Sequence, residues 1–282
     1  MFEEIKDLQQ KELEILKELK RVCDANESTY FLAFGTLIGA ARHQGFIPWD
    51  DDIDVCMNYP DYEKFEEVCE TQLKEGFFLQ TRDTDPEAGL SFNTLRMDNT
   101  TLITDFTADR DSHHGIKIDI YPIYNIADDT ILRTFQLGCA RMYMLLEAGT
   151  VPKNHGQMLK RVGGIVLSVI KGDTRERLKD FCRRSMARYE NKATRKKALL
   201  FSYKSCQRLY RSEWFTKKTE LPFEGEPYSV PVGYKQFLTA VYGDYMKLPP
   251  VEQQGIKLEH IIKYDTEKSY KEYKGTLYCV EK

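Results

Sequence analysis

A chain of 282 residues that is 41% hydrophobic and 30% charged can bury a substantial core, and its composition excludes disordered, collagenous and disulfide-scaffold classes. The longest apolar run, GGIVLSVIKG at 163–172, is about half a membrane span, and the start MFEEIKDLQQKELEIL lacks the basic head and apolar centre of a signal peptide. The net charge of −3 hides a division, since residues 171–218 hold 16 Lys and Arg against 5 Asp and Glu.

Residues 3–24 carry Ile5, Leu8, Leu13, Ile15, Leu16, Leu19 and Val22 at helical spacing, which predicts an amphipathic helix. TYFLAF at 29–34 reads as a strand, and Gly35-Thr36 turns it into a short helix with Thr36 as N-cap and Gly45 as stop. A strand through Val55 and Met57 and a helix near 60–74 capped by Asp61 follow. Strands are expected at 90–105 and 115–124. In the second, Ile116, Ile118 and Ile120 point one way, and Lys117, Asp119 and Tyr121 the other.

From 128 to about 215 the pattern is helical and basic, suited to an anionic surface or to a solvated helical face. The apolar stretch 162–170 within it reads as a core helix. Pro222, Pro227, Pro231 and Gly233 mark a loop-rich stretch before a helix at YKQFLTAVYG that Gly243 ends. The expected fold class is α/β, a mixed sheet with flanking helices and a helical addition. The expected domains are a core at 1–127, a basic helical segment at 128–218, and a C-terminal segment at 219–282 that packs back on the core. Seven cysteines, odd in number and without a CxxC pair, read as reduced thiols and point to the cytoplasm.

The chemistry concentrates in PWDDDIDVCM at 48–57. Asp52 and Asp54 are two apart at a strand entrance, so both carboxylates leave one face while Ile53 and Val55 anchor the other. Paired carboxylates on a rigid strand suit a hard divalent cation such as Mg²⁺. Asp119 has the same setting on its own strand, and three converging carboxylates fit phosphoryl transfer. The plainer readings are a solvated turn for the DDD run and an edge-protecting charge for Asp119. An EF-hand is excluded because Val55 stands where glycine is required and Asp61 where the bidentate glutamate is required. Upstream, Gly35 permits close backbone approach, and the start of the Thr36 helix offers N–H groups to phosphate. A Gly-Thr turn followed by a strand DxD is the layout of the nucleotidyltransferase superfamily. His113 and His114 read as turn residues and Trp49 as packing.

FGTLIGAARHQGFIPWDDDIDVCMNYPDYEKF at 34–65 resembles the signature of the LicD family of phosphotransferases, which includes fukutin and fukutin-related protein. HGIKIDIYPI at 114–123 and VPVGYKQFLTAVYGDYMKLPP at 230–250 are similar to later family segments. The resemblance implies a nucleotidyltransferase-like fold with a metal site at Asp52, Asp54 and Asp119, these three being catalytic, and Asp50 as a further ligand or orienting group. It implies Gly35 and Thr36 at the donor phosphates. Arg42 is a candidate phosphate clamp, or else satisfies the last carbonyls of its own helix; Arg96, in RMDNT, is a second candidate clamp. The implied cofactor is Mg²⁺, as one ion or two, with Mn²⁺ as the alternative.

The implied reaction moves a phospho-alcohol such as phosphocholine from a CDP-linked donor to a carbohydrate hydroxyl of an envelope glycan, with CMP leaving. The acceptor is often lipid-linked, so the expected location is cytoplasmic and peripheral at the inner membrane face, against anionic lipid, with no nucleic acid partner. The rival readings are a nucleotidyltransferase that moves the nucleotide itself and a catalytically silent nucleotide-binding module.

Overall fold

The structure, a computed structural model, describes residues 5–150, 157–255 and 258–280, and of residues 157–160 and 162 only the backbone. The chain forms two units, one of Met1–Ala88, Asn93–Tyr121 and Glu213–Lys282, the other of Gly89–Phe92 and Pro122–Ser212. No helix among the described residues is long and apolar enough to cross a membrane.

In the first unit the amphipathic segment forms α1 (Lys6–Ala25), with Ile5, Leu8, Ile15, Leu16, Leu19 and Val22 fully buried. The main sheet contains β1 (Phe31–Leu32), β2 (Asp54–Asn58), β3 (Phe77–Gln80), β4 (Asn93–Met97) and β6 (Lys117–Ile126), in the order β1-β2-β6-β4-β3. The pairs β1–β2, β3–β4 and β4–β6 are antiparallel, and β5 (Thr101–Thr104) lies outside this sheet. Thr94 faces Asp119 and Arg96 faces Lys117 across β4 and β6, so one face of the pair is polar. Ile118 and Ile120 take the opposite, apolar face, as their alternation requires. Both faces are covered, which is why Thr94, Arg96 and Asp119 are buried as well.

Several local expectations change. The strand expected at 29–34 contracts to β1, because Phe34 turns the chain at φ 45° into α2 (Phe34–Ile38), continued by a π-helical turn at Gly39–His43. Ala33, not Thr36, is the N-cap, and the stop is Gln44 in the left-handed region at φ 59°, one residue before Gly45. The helix after β2, α3 (Tyr59–Gln72), begins at Asn58 without a side-chain cap; Asp61 lies within its first turn. The expected strand 90–105 is broken by Asn99 at φ 56°, and β5 leaves to pair with β11 (Ile261–Asp265). The proline-rich stretch is a hairpin of β9 (Lys218–Phe223) and β10 (Glu226–Pro231), turned by Glu224 and Gly225 at φ 48° and 82°. A two-stranded ribbon has open edges toward which prolines lacking an N–H can point. Helix α7 (Tyr234–Tyr242) ends at Gly243 in a positive-φ cap, as expected.

The second unit contains α4 (Thr130–Ala148), α5 (Gln157–Val169) and α6 (Gly172–Met186). Asp129 caps α4 by accepting from the N–H groups of Ile131 and Leu132 at 2.9 Å. Gln136, almost fully buried, accepts from Ala127 N–H and donates to the carbonyls of Asn125 and Met186, tying α4 to the end of β6 and to the end of α6. The basic segment is not helical throughout. β7 (Lys196–Leu199) pairs with the second half of β6, and β8 (Tyr210–Arg211) pairs with β7. Of the apolar stretch at 162–170, Ile165 and Val169 are exposed, so the core-helix reading fails there; residues 151–156 and the Val162 side chain lie outside what is described. All seven cysteines are free thiols, six of them buried.

Candidate active site

The aspartate motif is held from three sides. Ala33 N–H donates to the carbonyl of Asp54 at 2.9 Å, and Asp54 N–H donates to Thr36 Oγ1 at 2.8 Å, which staples α2 to the start of β2. Asp119 N–H donates to the carbonyl of Ile53 at 3.0 Å, fixing β6 beside the motif. From α1, Gln9 Nε2 donates to the carbonyl of Asp50 at 2.8 Å. Ile53 and Val55 are fully buried and anchor the stretch, while Asp52 is exposed and Asp54 buried.

The geometry groups the acids differently from the expected trio. Among the described residues, Asp50, Asp51 and Asp52 offer carboxylate oxygens that all lie within 4.8 Å of one another. Asp51, which the sequence did not single out, joins this triplet and also pairs with His260 Nε2 at 3.4 Å. Asp119 acts through its charge on Asp52, and Asp54 feels the charges of its acidic neighbours. Burial, then Asp52, Asp119 and Asp50, raise the Asp54 carboxyl well above the ordinary carboxylate range. Burial, then Asp52 and Asp51, push Asp50 up to about 8. Asp52 is pushed up to about 6 by loss of water, Asp51 and Asp119, although its solvent-facing position weakens that desolvation.

One further atom decides what the site asks for. Asp54 Oδ1 is buried and accepts no hydrogen bond. An orphaned oxygen beside three crowded carboxylates is the donor set of a hard divalent cation, so the residues present fit Mg²⁺ or Mn²⁺. Asp119 differs from the others in being held by a lysine: Lys117 Nζ donates to both its oxygens at 2.5 Å. Tyr121 Oη also donates to Asp119 Oδ2, at 3.4 Å.

Residues 27–144 match the family model described as LicD/FKTN/FKRP, nucleotidyltransferase domain. The chain is 30% identical over 265 residues to the lipopolysaccharide cholinephosphotransferase LicD of Haemophilus influenzae, an alignment that spans 88% of this chain and 93% of that protein. This chain belongs to the LicD family. Shorter matches reach uncharacterized proteins of Rickettsia typhi, 36% identical over 55 residues, and Rickettsia prowazekii, 40% identical over 48 residues. Those cover 20% and 17% of this chain and 18% of each rickettsial protein.

In this LicD-family chain, Gly35 has a steric reason to be glycine. A Cβ there would stand 2.6 Å from Asp50 Oδ2, so any side chain displaces that carboxylate. Thr36 is buried, and its hydroxyl is engaged by Asp54 N–H. Arg42 does not close the last carbonyls of its own helix. Its Nη1 donates to the carbonyls of Tyr245 and Lys247, at 2.8 and 3.3 Å, its Nε bonds His43, and Nη2 donates to no described residue. Arg96 is buried behind the motif, donating to Gln80 Oε1 at 2.6 Å and to the carbonyl of Gly115 at 2.7 Å. Desolvation lowers its guanidinium to about 10, opposed by Asp119 and Asp85. His113 bridges Asp98 and the Gly115 N–H, and burial takes it down to about 4, the setting of a structural turn.

Sequence reasoning missed Asp51, the ion pair of Lys117, and Glu12. Lys117 had a legible signal, since the alternation of β6 puts it on the same face as Asp119 two residues on. Glu12 had a legible signal: it follows Leu8 by four residues and precedes Leu16 by four, so an acid sits in the buried stripe of α1.

Proposed function

We propose that the protein transfers a phospho-alcohol, phosphocholine or a close analogue, from a CDP-linked donor to a carbohydrate hydroxyl of a cell-envelope glycan, with CMP as leaving group. The observation that carries this reading is the convergence of the Asp50, Asp51 and Asp52 oxygens beside the orphaned Asp54 Oδ1, in a chain related along most of its length to a cholinephosphotransferase.

Asp50, Asp51, Asp52 and Asp54 would hold a divalent cation, Mg²⁺ or Mn²⁺, with Asp119 beside them. Bound there, the cation offsets negative charge on the donor's phosphate oxygens. Asp119 takes the proton of the attacking hydroxyl, and Lys117 keeps its carboxylate oriented. Arg42, fixed by the carbonyls of Tyr245 and Lys247, presents its uncommitted Nη2 to a donor phosphate. Gly35 leaves room for Asp50, and Thr36 holds Asp54 by its backbone, so both act by positioning ligands.

The second unit supplies a surface for the acceptor. Ile131, Phe135, Phe181, Ile165 and Val169 are exposed in a segment rich in arginine and lysine, a combination suited to anionic lipid or a lipid-linked sugar at the inner membrane face.

The deciding experiment offers CDP-choline, CDP-ethanolamine, CDP-glycerol and CDP-ribitol with Mg²⁺ and measures CMP release. Release of pyrophosphate from a nucleoside triphosphate would support the second reading, a nucleotidyltransferase, which the description of the matching domain favours. Inactivity with every donor would leave a silent binding module.

A further inference from the structure

We infer that Glu12 of α1 is a ligand of the divalent cation, supplying a carboxylate from the helix side of the aspartate cluster. The inference rests on the metal-dependent reading above and adds a residue outside the matched span 27–144.

Glu12 is fully buried, and neither carboxylate oxygen has a hydrogen-bond partner. Such a group is unsatisfied in both of its forms, since the ionised form lacks donors and the neutral form lacks an acceptor for its proton. A buried polar group left without partners is costly in either form. Its helix face is located by Gln9, one turn earlier, whose amide donates to the carbonyl of Asp50. The charges that act on Glu12 are those of Asp52, Asp51, Lys117 and Asp50. Three of the four are like charges, and the fourth, Lys117, already donates to both oxygens of Asp119.

Other acids on α1 show what an ordinary solution looks like. Glu18, also buried, is answered by Arg21 at 2.6 and 2.8 Å and by Lys74 N–H. Glu14 pairs with Lys11 near solvent. Glu12 alone of these three has no answering group, and it lies one turn from Gln9, whose amide holds the Asp50 carbonyl. A divalent cation held by that triplet satisfies Glu12 and the orphaned Asp54 Oδ1 together.

The test is a titration of EDTA-stripped protein with Mn²⁺, following the loss of the free-ion electron paramagnetic resonance signal in the absence of any donor. Wild-type protein binds Mn²⁺, Glu12→Gln binds at least about tenfold more weakly, and Glu14→Gln binds like wild type. Glu12→Gln matching wild type overturns the assignment and leaves the metal-dependent reading standing. Equal weakening in Glu12→Gln and Glu14→Gln also overturns it, because bulk charge then accounts for the loss. A wild-type protein that binds no Mn²⁺ overturns the assignment and the metal-dependent reading together. Should Glu12→Gln fail to fold, Glu12→Asp replaces it under the same criteria, since a shorter arm withdraws the oxygen while keeping the charge.

Discussion

Replacing Asp54 by asparagine separates stability from activity. The two side chains have nearly the same shape, the bonds from Ala33 N–H and to Thr36 Oγ1 involve only the backbone, and the amide oxygen of asparagine can still accept from the Tyr121 hydroxyl. The fold therefore survives the change. Asp52 and Asp54 stand about 6.5 Å apart along an extended chain, and two ionised groups at about 6 Å repel by about 3 kcal/mol at an effective dielectric of about 20. At pH 9, above the values near 8 for Asp50 and near 6 for Asp52, both neighbours are ionised. Asp54 is itself held well above the ordinary carboxylate range, so at this pH wild type either keeps a proton that the unfolded chain has released or carries a further repelling charge. Asp54→Asn escapes both and without cation gains about 1–3 kcal/mol, a rise of several degrees in melting temperature by differential scanning fluorimetry. Saturating Mg²⁺ then raises the melting temperature of wild type but hardly that of the variant. CMP release falls by about a thousandfold or more, equivalent to about 4 kcal/mol of lost transition-state stabilisation. A variant that retains turnover within tenfold of wild type, or is less stable than wild type without cation, would refute the reasoning.

Three other outcomes follow from the same geometry. Arg96→Met removes two charge-assisted hydrogen bonds and strands the carbonyl of Gly115, so the urea midpoint drops by about 1–1.5 M, for a loss near 3 kcal/mol. An unchanged midpoint with lost donor binding would instead make Arg96 a phosphate clamp. Because Asp50 and Asp52 titrate higher in the folded chain than in the unfolded one, the folded state holds more protons, and cation-free stability falls as pH rises from about 4 through about 6 to about 8. Denaturation across that range in EDTA, against the same series in Mg²⁺, shows a slope that the cation flattens; a flat series in EDTA counts against the cluster. In liposome flotation the protein binds vesicles containing anionic lipid, and Phe135→Ser with Phe181→Ser weakens binding; flotation indifferent to anionic lipid would sink the membrane-facing reading.

What was legible in the sequence was whatever rests on local periodicity. The alternation of β6 put Asp119 opposite its isoleucines, the spacing in α1 marked its buried stripe, and Gly243 ended α7 as its conformational freedom allows. Boundaries depending on unusual backbone angles were less legible, since Phe34, Gln44 and Asn99 take positive φ without being glycine. The helix starting at Ala33 left Thr36 inside it, where its hydroxyl became a staple for β2.

The acids divide the same way. By itself the sequence determined that Asp50, Asp52, Asp54 and Asp119 are the chain's candidates for a cation, because a strand's two-residue repeat and the family signature are local properties. Only the tertiary structure decided which oxygens meet. It brought Asp51 into the triplet, tied Asp119 to the carbonyl of Ile53, turned Arg42 toward the carbonyls of Tyr245 and Lys247, and buried Glu12 without a partner. Those outcomes depend on residues as far as two hundred positions apart, and no pattern within a single element encodes such a distance.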